Sequence, residues 1–310
     1  MNELPQQLVN GLLLGSMYGL VAIGYTMVYG IVQLINFAHG EIFMTGAFGA
    51  LTVYAYILPD GTSMAIALPL MLVGAVMVSV TVAVGAERFA YRPLRNAPRL
   101  APLITAIGLS LALQQAVWAW YPEAKSARVF PQIDGGPFEI GNVTIQTGDV
   151  FLLIAAPISM AFLGYFVMKT RTGRGMQATA QDPDTAKLMG VNTDRIIVIA
   201  FALGATFAAI GGVAYGLKYG QISFTMGFLL GLKAFTAAVL GGIGNIYGAM
   251  IGGVVLGVVE TLATAYIADI PGMSQFGSNA WADVWAFVLL ILVLLLRPQG
   301  LLGERVADRA

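Results

Sequence analysis

Residues 4–40 read LPQQLVNGLLLGSMYGLVAIGYTMVYGIVQLINFAHG, a stretch without a single Asp, Glu, Lys or Arg. A helix needs about 20 apolar residues to cross the hydrocarbon core of a bilayer, so this stretch is long enough to span a membrane. Further charge-free runs occupy 61–86, 100–122, 150–168, 196–217, 234–259 and 284–296. The last of these is short, but it can still cross the membrane if Asp283 and Arg297 lie at the two interfaces. The pattern predicts an all-α integral membrane protein with about eight or nine transmembrane or re-entrant helices.

The composition excludes several classes of function. Of the 310 residues, 58% are hydrophobic and 10% are charged, whereas a soluble globular protein carries about 25% charged residues. Sixteen basic residues balance sixteen acidic ones, which leaves no basic field to hold nucleic acid. There is no cysteine and one histidine, and neither a phosphate-binding Gly-rich loop nor a His-Glu-x-x-His metal pair is present. We therefore expect no catalytic residues, no metal site and no cofactor in this chain.

The few charges predict which segments lie on each side of the membrane. Twelve of the sixteen basic residues fall in 87–99, in 169–195 and at the C-terminus from Arg297 onward. Basic residues that flank spans stay on the cytoplasmic side. The intervening segments 58–64, 122–149 and 269–283 are mainly acidic and are expected outside.

The assignment of segments to the two sides of the membrane predicts how the chain is organised. We expect one transmembrane domain over 1–303, with a cytoplasmic loop at 169–195, an external cap at 122–148 and a cytoplasmic tail at 304–310. Within the cap, Gly135-Gly136-Pro137 and the alternating apolar residues around Gly141-Asn142 predict a β-hairpin.

The first 58 residues allow two arrangements in the membrane. The stretch 8–58 allows two spans with the N-terminus outside, or one span and a re-entrant segment with it inside. Residues 1–7 contain no basic residue, and a cleaved signal peptide is therefore not expected.

Small residues recur at four-residue spacing, which places them on one face of a helix and favours close helix packing. Such faces serve either packing within the subunit or an interface between subunits. The segments Gly11–Gly15 (GLLLG) and Gly227–Gly231 (GFLLG) also resemble each other in sequence. This similarity suggests an inverted internal repeat of the kind found in transporters. The glycine stripes are Gly11, Gly15 and Gly19; Gly244, Gly248 and Gly252; and Gly253 and Gly257.

An amide, the histidine and a carboxylate gather inside an apolar stretch at Asn36, His39 and Glu41. Polar groups at membrane depth are costly unless they are paired or line a wet cavity. They either satisfy backbone groups at a helix break after Gly30 or line a translocation path. Lys233 and Glu260 also lie within apolar surroundings; they are expected to pair with each other or with Glu41, and all five polar residues are candidates for the path.

The segment 182–190 carries signals for both ends of a short helix. Asp182 is suited to the N-cap, Pro183 to the first helical position and Asp184 to the positive end of the helix dipole. Gly190 is suited to a left-handed C-terminal position. The segment is either a linker or a docking element for a cytoplasmic partner, and its candidate contact residues are Asp182, Pro183, Asp184, Lys187, Leu188, Met189 and Gly190.

Five segments along the chain carry a recognisable pattern: GYTMVYG (24–30), INFAHGE (35–41), TGRGMQATAQDPDTAKLMGV (172–191), LGGIGNIYG (240–248) and RPQGLLG (297–303). Together they resemble a known family, the smaller permease subunit of bacterial branched-chain amino-acid ABC importers. The resemblance implies a multi-pass permease of the bacterial inner membrane that works by alternating access and hydrolyses no ATP itself.

The resemblance also implies an assembly. It would contain a second homologous permease, two cytoplasmic subunits that use ATP and Mg²⁺, and a periplasmic substrate-binding protein, with 182–190 docking on an ATPase. Two alternatives stay open: a sister importer for urea or short amides, and a secondary transporter that works alone. The punctuated 182–190 helix favours the importer over the stand-alone transporter.

Overall fold

The computed structural model describes residues 3–95, 97, 98 and 100–303, and helices dominate this part of the chain. This confirms the all-α class. The helices are α1 (Leu4–Val32), α2 (His39–Thr52), α3 (Met64–Ala86), α4 (Leu100–Trp120), α5 (Thr147–Lys169), α6 (Arg171–Gln181), α7 (Pro183–Leu188), α8 (Thr193–Tyr219), α9 (Met226–Gly241), α10 (Ile246–Tyr266) and α11 (Ala282–Leu296). The strands are β1 (Arg128–Val129), β2 (Phe138–Ile140), β3 (Val143–Ile145) and β4 (Gln221–Ile222). Short π-helical turns follow α2 and α3, at Val53–Ile57 and Glu87–Tyr91, and the second continues into a 3-10 turn, Arg92–Leu94. Three further 3-10 turns, Ile267–Asp269, Ser274–Phe276 and Asn279–Trp281, connect α10 to α11.

Within the described residues, six helices are long and apolar enough to cross a membrane, namely α1, α3, α4, α5, α8 and α10. Helices α9 and α11 are shorter and also apolar. The count of eight or nine membrane elements therefore stays a prediction.

The predicted hairpin is present in the cap. Strands β2 and β3 pair antiparallel, with Phe138 opposite Ile145 and Ile140 opposite Val143. The turn between them contains Gly141 at φ +62°, a left-handed conformation that glycine adopts without steric cost. We call the side of the molecule that carries this hairpin the cap side, and the side that carries α6 and α7 the coupling side.

The N-terminal helix α1 starts on the cap side. The Gln6 side chain accepts a hydrogen bond from the backbone N–H of Thr144 at 2.7 Å and donates one to its carbonyl at 3.1 Å. The other end of α1 lies near Asp182 and Pro183, with which it lines a cavity. The chain then returns through α2, and Tyr56 beyond its end contacts Tyr121 after α4, next to the cap. The start of α1 and the end of this second element thus lie on the same side, as the alternative with two spans requires. The number of spans in 8–58 stays a prediction.

Glycines allow α1 to lie directly against α10 at the centre of the fold. A Cβ atom built on Gly15 would lie 2.5 Å from the Cα of Val254, and one on Gly257 would lie 2.4 Å from the Cα of Gly15. Glycine 252 on the same helix approaches Gly241 of α9 in the same way. These stripes therefore serve packing within the subunit, because only glycine permits such backbone contact.

The helix contacts are those expected of an inverted repeat. Helix α1 packs against α10, whereas α8 packs against α3, and α2 contacts α9. If α1, α2 and α3 are taken to correspond to α8, α9 and α10, the same helix pairs are in contact in both halves. Corresponding helices run in opposite directions between the cap side and the coupling side. The similar segments Gly11–Gly15 and Gly227–Gly231 lie in α1 and α9, so this correspondence does not superimpose them.

Candidate functional site

A cavity of about 620 Å³ lies between α1, α8, α9, α10 and α11. Its lining includes Gln7 near the start of α1 and Ser223 and Thr225 between α8 and α9, which places it toward the cap side. Apolar side chains contribute to the lining and include Leu14 of α1 and Leu230 of α9. The volume falls in the range of about 300–1,000 Å³ that is typical of small-molecule sites.

Four side chains from four helices form a polar cluster in the same lining. Lys233 Nζ of α9 lies 2.7 Å from Glu260 Oε1 of α10 and 2.5 Å from Asp283 Oδ1 of α11. The hydroxyl of Tyr18 on α1 donates to Glu260 Oε2 at 3.1 Å. The side chains of Lys233 and Glu260 are 11% and 7% exposed, and that of Asp283 is 43% exposed. One ammonium thus contacts two carboxylates, which gives the three groups a formal charge of −1 at the cavity wall.

The structure brings together only two of the five polar residues predicted for the translocation path. Lys233 and Glu260 pair with each other, and neither pairs with Glu41. The sequence reasoning missed Tyr18 and Asp283 as members of this site. The sequence places Asp283 at a membrane–water interface. The only sequence signal for its role in the polar cluster is its charge next to the apolar run of α11.

Asn36 lies in the break between α1 and α2 and stabilises it. Its Oδ1 accepts a hydrogen bond from the Ala38 backbone N–H at 3.1 Å and one from the Tyr91 hydroxyl at 2.5 Å. These contacts are those of the structural alternative, in which the polar side chain satisfies backbone at a helix break. They also join this break to the π-helical turn after α3.

His39 is buried at the start of α2, with its ring centroid 4.8 Å from that of Tyr25. A Cβ atom built on Gly24 would lie 2.2 Å from its Nε2, so the ring fits against α1 only because residue 24 is a glycine. The imidazole is enclosed by α1 and α8 and does not line the cap-side cavity.

Glu41 is fully buried and turns toward α4. Its Oε1 accepts hydrogen bonds from Gln114 Nε2 at 2.7 Å and from Ser110 Oγ at 3.1 Å. Within the described residues no cation lies in ion-pair contact with it. Like Asn36 and His39, it does not line the cap-side cavity, and the role of all three in translocation stays a prediction.

The short helix α7 has the predicted signals at both ends. Asp182 Oδ1 accepts from the backbone N–H groups of Asp184 at 3.0 Å and Thr185 at 3.2 Å, and the Thr185 hydroxyl also donates to its carboxylate. The Thr185 hydroxyl and these backbone hydrogen bonds lower the pKa of Asp182 below its usual value. Gly190 adopts φ +84° and its N–H donates to the carbonyl of Lys187 at 3.0 Å. The helix itself spans Pro183–Leu188, as these signals predict.

Two large apolar side chains at the end of α7 face away from the protein. Leu188 is 88% exposed and Met189 is 80% exposed. Lys187 pairs with Asp184 across one turn at 3.2 Å, and both side chains are largely exposed. Such a surface pair contributes little to stability. The exposed apolar pair, by contrast, offers a contact surface outside the membrane-spanning helices.

Elements around α7 were not predicted from the sequence. Helix α6 precedes it, capped by the Thr170 hydroxyl, which accepts from the Gly173 N–H at 3.0 Å. Asp194 at the start of α8 binds Arg92 and also Arg95 Nη1, the latter at 2.6 Å. Arg95 also pairs with a buried glutamate, Glu87. These ion pairs connect the turn after α3 to the helix that follows α7.

Comparison with known proteins assigns the fold and the site to a class. Residues 7–294 match the protein family described as the branched-chain amino acid transport system permease component. The chain is 43% identical over 305 residues to the high-affinity branched-chain amino acid transport system permease protein LivH of Escherichia coli, covering 96% of this chain and 95% of the relative. It is 46% identical over 311 residues to the corresponding permease protein BraD of Pseudomonas aeruginosa, with the same coverage.

Among solved structures, PsaBC from Streptococcus pneumoniae in complex with Fab shares the fold at a TM-score of 0.51 and 10% identity. The alignment covers 94% of this chain and 91% of that one. At this identity the likeness concerns the fold alone.

Proposed function

The chain belongs to the family of branched-chain amino-acid transport permease components, and from this membership we propose that it is the membrane-spanning permease subunit of an ATP-driven importer for branched-chain amino acids. The observation that carries the proposal is the identity of 43–46% to LivH and BraD along 96% of the chain. The sister function in urea or amide import is not favoured by these relatives.

In this proposal, energy enters through α7. Leu188 and Met189 contact a cytoplasmic ATP-binding subunit, which binds and hydrolyses ATP with Mg²⁺. The exposure of both side chains supports this role, because contact with a partner would remove two adjacent large apolar side chains from water. The ion pairs of Asp194 with Arg92 and Arg95 would pass a displacement of α7 to α3 and α8.

The translocation path is proposed to include the cap-side cavity. Lys233 and Glu260 line it directly, and a second homologous permease completes the path. A binding protein delivers the amino acid on the cap side, and rocking of the helices exposes the cavity to one side and then the other. In this arrangement the cap side is external, the coupling side and the C-terminus are cytoplasmic, and the protein lies in the inner membrane.

Leucine uptake in reconstituted vesicles tests the proposal. The chain is assembled with its second permease and its ATP-binding subunits, ATP is enclosed with those subunits, and the binding protein is added on the opposite side. We expect labelled leucine to accumulate with ATP and not with a non-hydrolysable analogue. Vesicles that accumulate labelled urea or a short amide but not leucine would refute the assigned substrate class.

A further inference from the structure

The cap-side cavity has both apolar and charged side chains in its lining, and the inference drawn from it rests on the proposed function. The apolar side chains include Leu14, Met17 and Leu230, and the polar ones are Lys233, Glu260, Asp283 and the Tyr18 hydroxyl. Leu14 precedes Tyr18 on α1, and Leu230 precedes Lys233 on α9, by about one helical turn, so the apolar and charged groups lie next to each other. A ligand with a branched apolar group next to a charged group matches this lining.

The hydrogen bonds of the cluster indicate which charge it accepts. Glu260 is satisfied, because Lys233 donates to one of its oxygens and Tyr18 to the other. Lys233 is satisfied too, since it contacts two carboxylates. Asp283 differs from both: its side chain is 43% exposed and shares the single ammonium with Glu260. The uncompensated charge of the cluster is therefore negative and is most accessible at Asp283.

We propose that the Lys233–Glu260–Asp283 cluster is the contact site for the α-ammonium group of the transported amino acid, with Asp283 as the direct acceptor. The apolar side chain of the substrate packs against Leu14, Met17 and Leu230. Lys233 and Glu260 act as positioning residues: they hold Asp283 at the cavity wall and leave the cluster with one negative charge. An anion without an ammonium group would meet this charge and be repelled.

This arrangement suits a transient contact. Asp283 is partly hydrated, so its attraction for an ammonium group is weakened by solvent. A site on a transport path must bind strongly enough to admit the substrate and weakly enough to release it. The cluster thus selects for an amine without trapping it.

Protection of an introduced thiol tests the proposal directly. The chain contains no cysteine, so Thr261→Cys places one thiol of this subunit at the cavity wall, next to Glu260. The assembled transporter in lipid nanodiscs is treated with N-ethylmaleimide, and the modification of this subunit is followed by mass spectrometry. The probes are leucine, 3-methylbutylamine, which lacks the carboxylate, and 4-methylpentanoate, which lacks the ammonium group.

We expect leucine and 3-methylbutylamine to slow the modification, while 4-methylpentanoate has no effect. Asp283→Asn should raise the amine concentration needed for half-protection about fivefold, because a contact with a partly exposed charge is lost. Ser126→Cys, on the exposed cap and outside the cavity, is the matched control and should react at the same rate with every probe. All samples have the same ionic strength, set with choline chloride.

Several outcomes would overturn the proposal. Equal protection by the amine and the acid would show that the cavity does not select for an ammonium group. Protection by sodium chloride alone would identify an inorganic cation site. If Asp283→Asn does not fold, the proposal is still tested by the comparison of 3-methylbutylamine with 4-methylpentanoate in the Thr261→Cys transporter, because that variant leaves the cluster intact. Leucine uptake without thiol protection would refute this site and not the proposed function, whereas amine protection without leucine uptake would refute the function and not the site.

Discussion

Truncation of the two exposed residues of α7, Leu188→Ala with Met189→Ala, is expected to separate the permease from its ATP-binding subunits. The two side chains are 88% and 80% exposed in the free subunit, so nearly all of their apolar surface is available for burial on association. Full burial of such a side chain stabilises by about 1.5–3 kcal/mol. Because alanine retains part of each contact, we expect a combined loss of about 3 kcal/mol, or about a hundredfold in affinity.

The same change should leave the permease itself intact. Neither side chain packs inside the subunit, and surface substitutions usually alter stability by less than about 0.5 kcal/mol. Alanine also favours the helix, so α7 should persist with its Asp182 cap. Loss of association is therefore attributable to the contact and not to unfolding.

The assay is titration of the purified permease pair with the ATP-binding subunit, combined with thermal unfolding of the permease. The matched control is Val129→Ala with Ile140→Ala, two residues of the cap that are 82% and 69% exposed and lie far from α7. The control should bind the ATP-binding subunit normally. Unchanged affinity of the α7 variant, with normal unfolding, would refute the docking role of Leu188 and Met189.

Three further predictions concern the membrane helices. Gly257→Ala should lower the unfolding temperature in detergent by an amount equivalent to about 1–3 kcal/mol, because its Cβ would lie 2.4 Å from backbone of α1; Gly108→Ala, with no atom within 4 Å of its Cβ, is the control and should not. Lys233→Met should cost about 3–5 kcal/mol, because it leaves the buried carboxylate of Glu260 without a cation, and the double variant with Glu260→Gln should unfold at a higher temperature than Lys233→Met alone. Glu41→Gln should retain leucine uptake with unchanged pH dependence, because its carbonyl oxygen can accept the same two hydrogen bonds; loss of the pH dependence alone would favour proton coupling.

Features determined by neighbouring residues were predictable from the sequence. The cap and C-terminal glycine of α7 depend on residues within one or two turns of each other, and the hairpin in the cap depends on one glycine turn. The glycine stripes likewise predicted close packing, because a four-residue spacing fixes one helix face. The sequence could not tell that the partner of the α1 stripe is α10, more than 200 positions along the chain.

The polar sites illustrate the opposite case. Lys233 and Glu260 were recognised as costly charges in an apolar region, and their pairing was one of two alternatives. Their other partners, Tyr18 and Asp283, come from α1 and α11 and share no local pattern with them. Asn36 and Glu41 lie close together in sequence, yet they contact Tyr91 and α4, respectively. Because Asn36 and Glu41 are close in sequence, they were expected to form one site, but in the folded protein they contact different elements.

The source of energy for transport is the most direct test of the central claim, that this chain moves its substrate under the control of partner ATPases. Leucine accumulation is measured in vesicles that contain the full assembly, first with enclosed ATP and a protonophore, then with an imposed proton gradient and no ATP. The account predicts accumulation in the first condition and none in the second. Accumulation that follows the proton gradient without ATP would contradict it and identify a transporter that works alone.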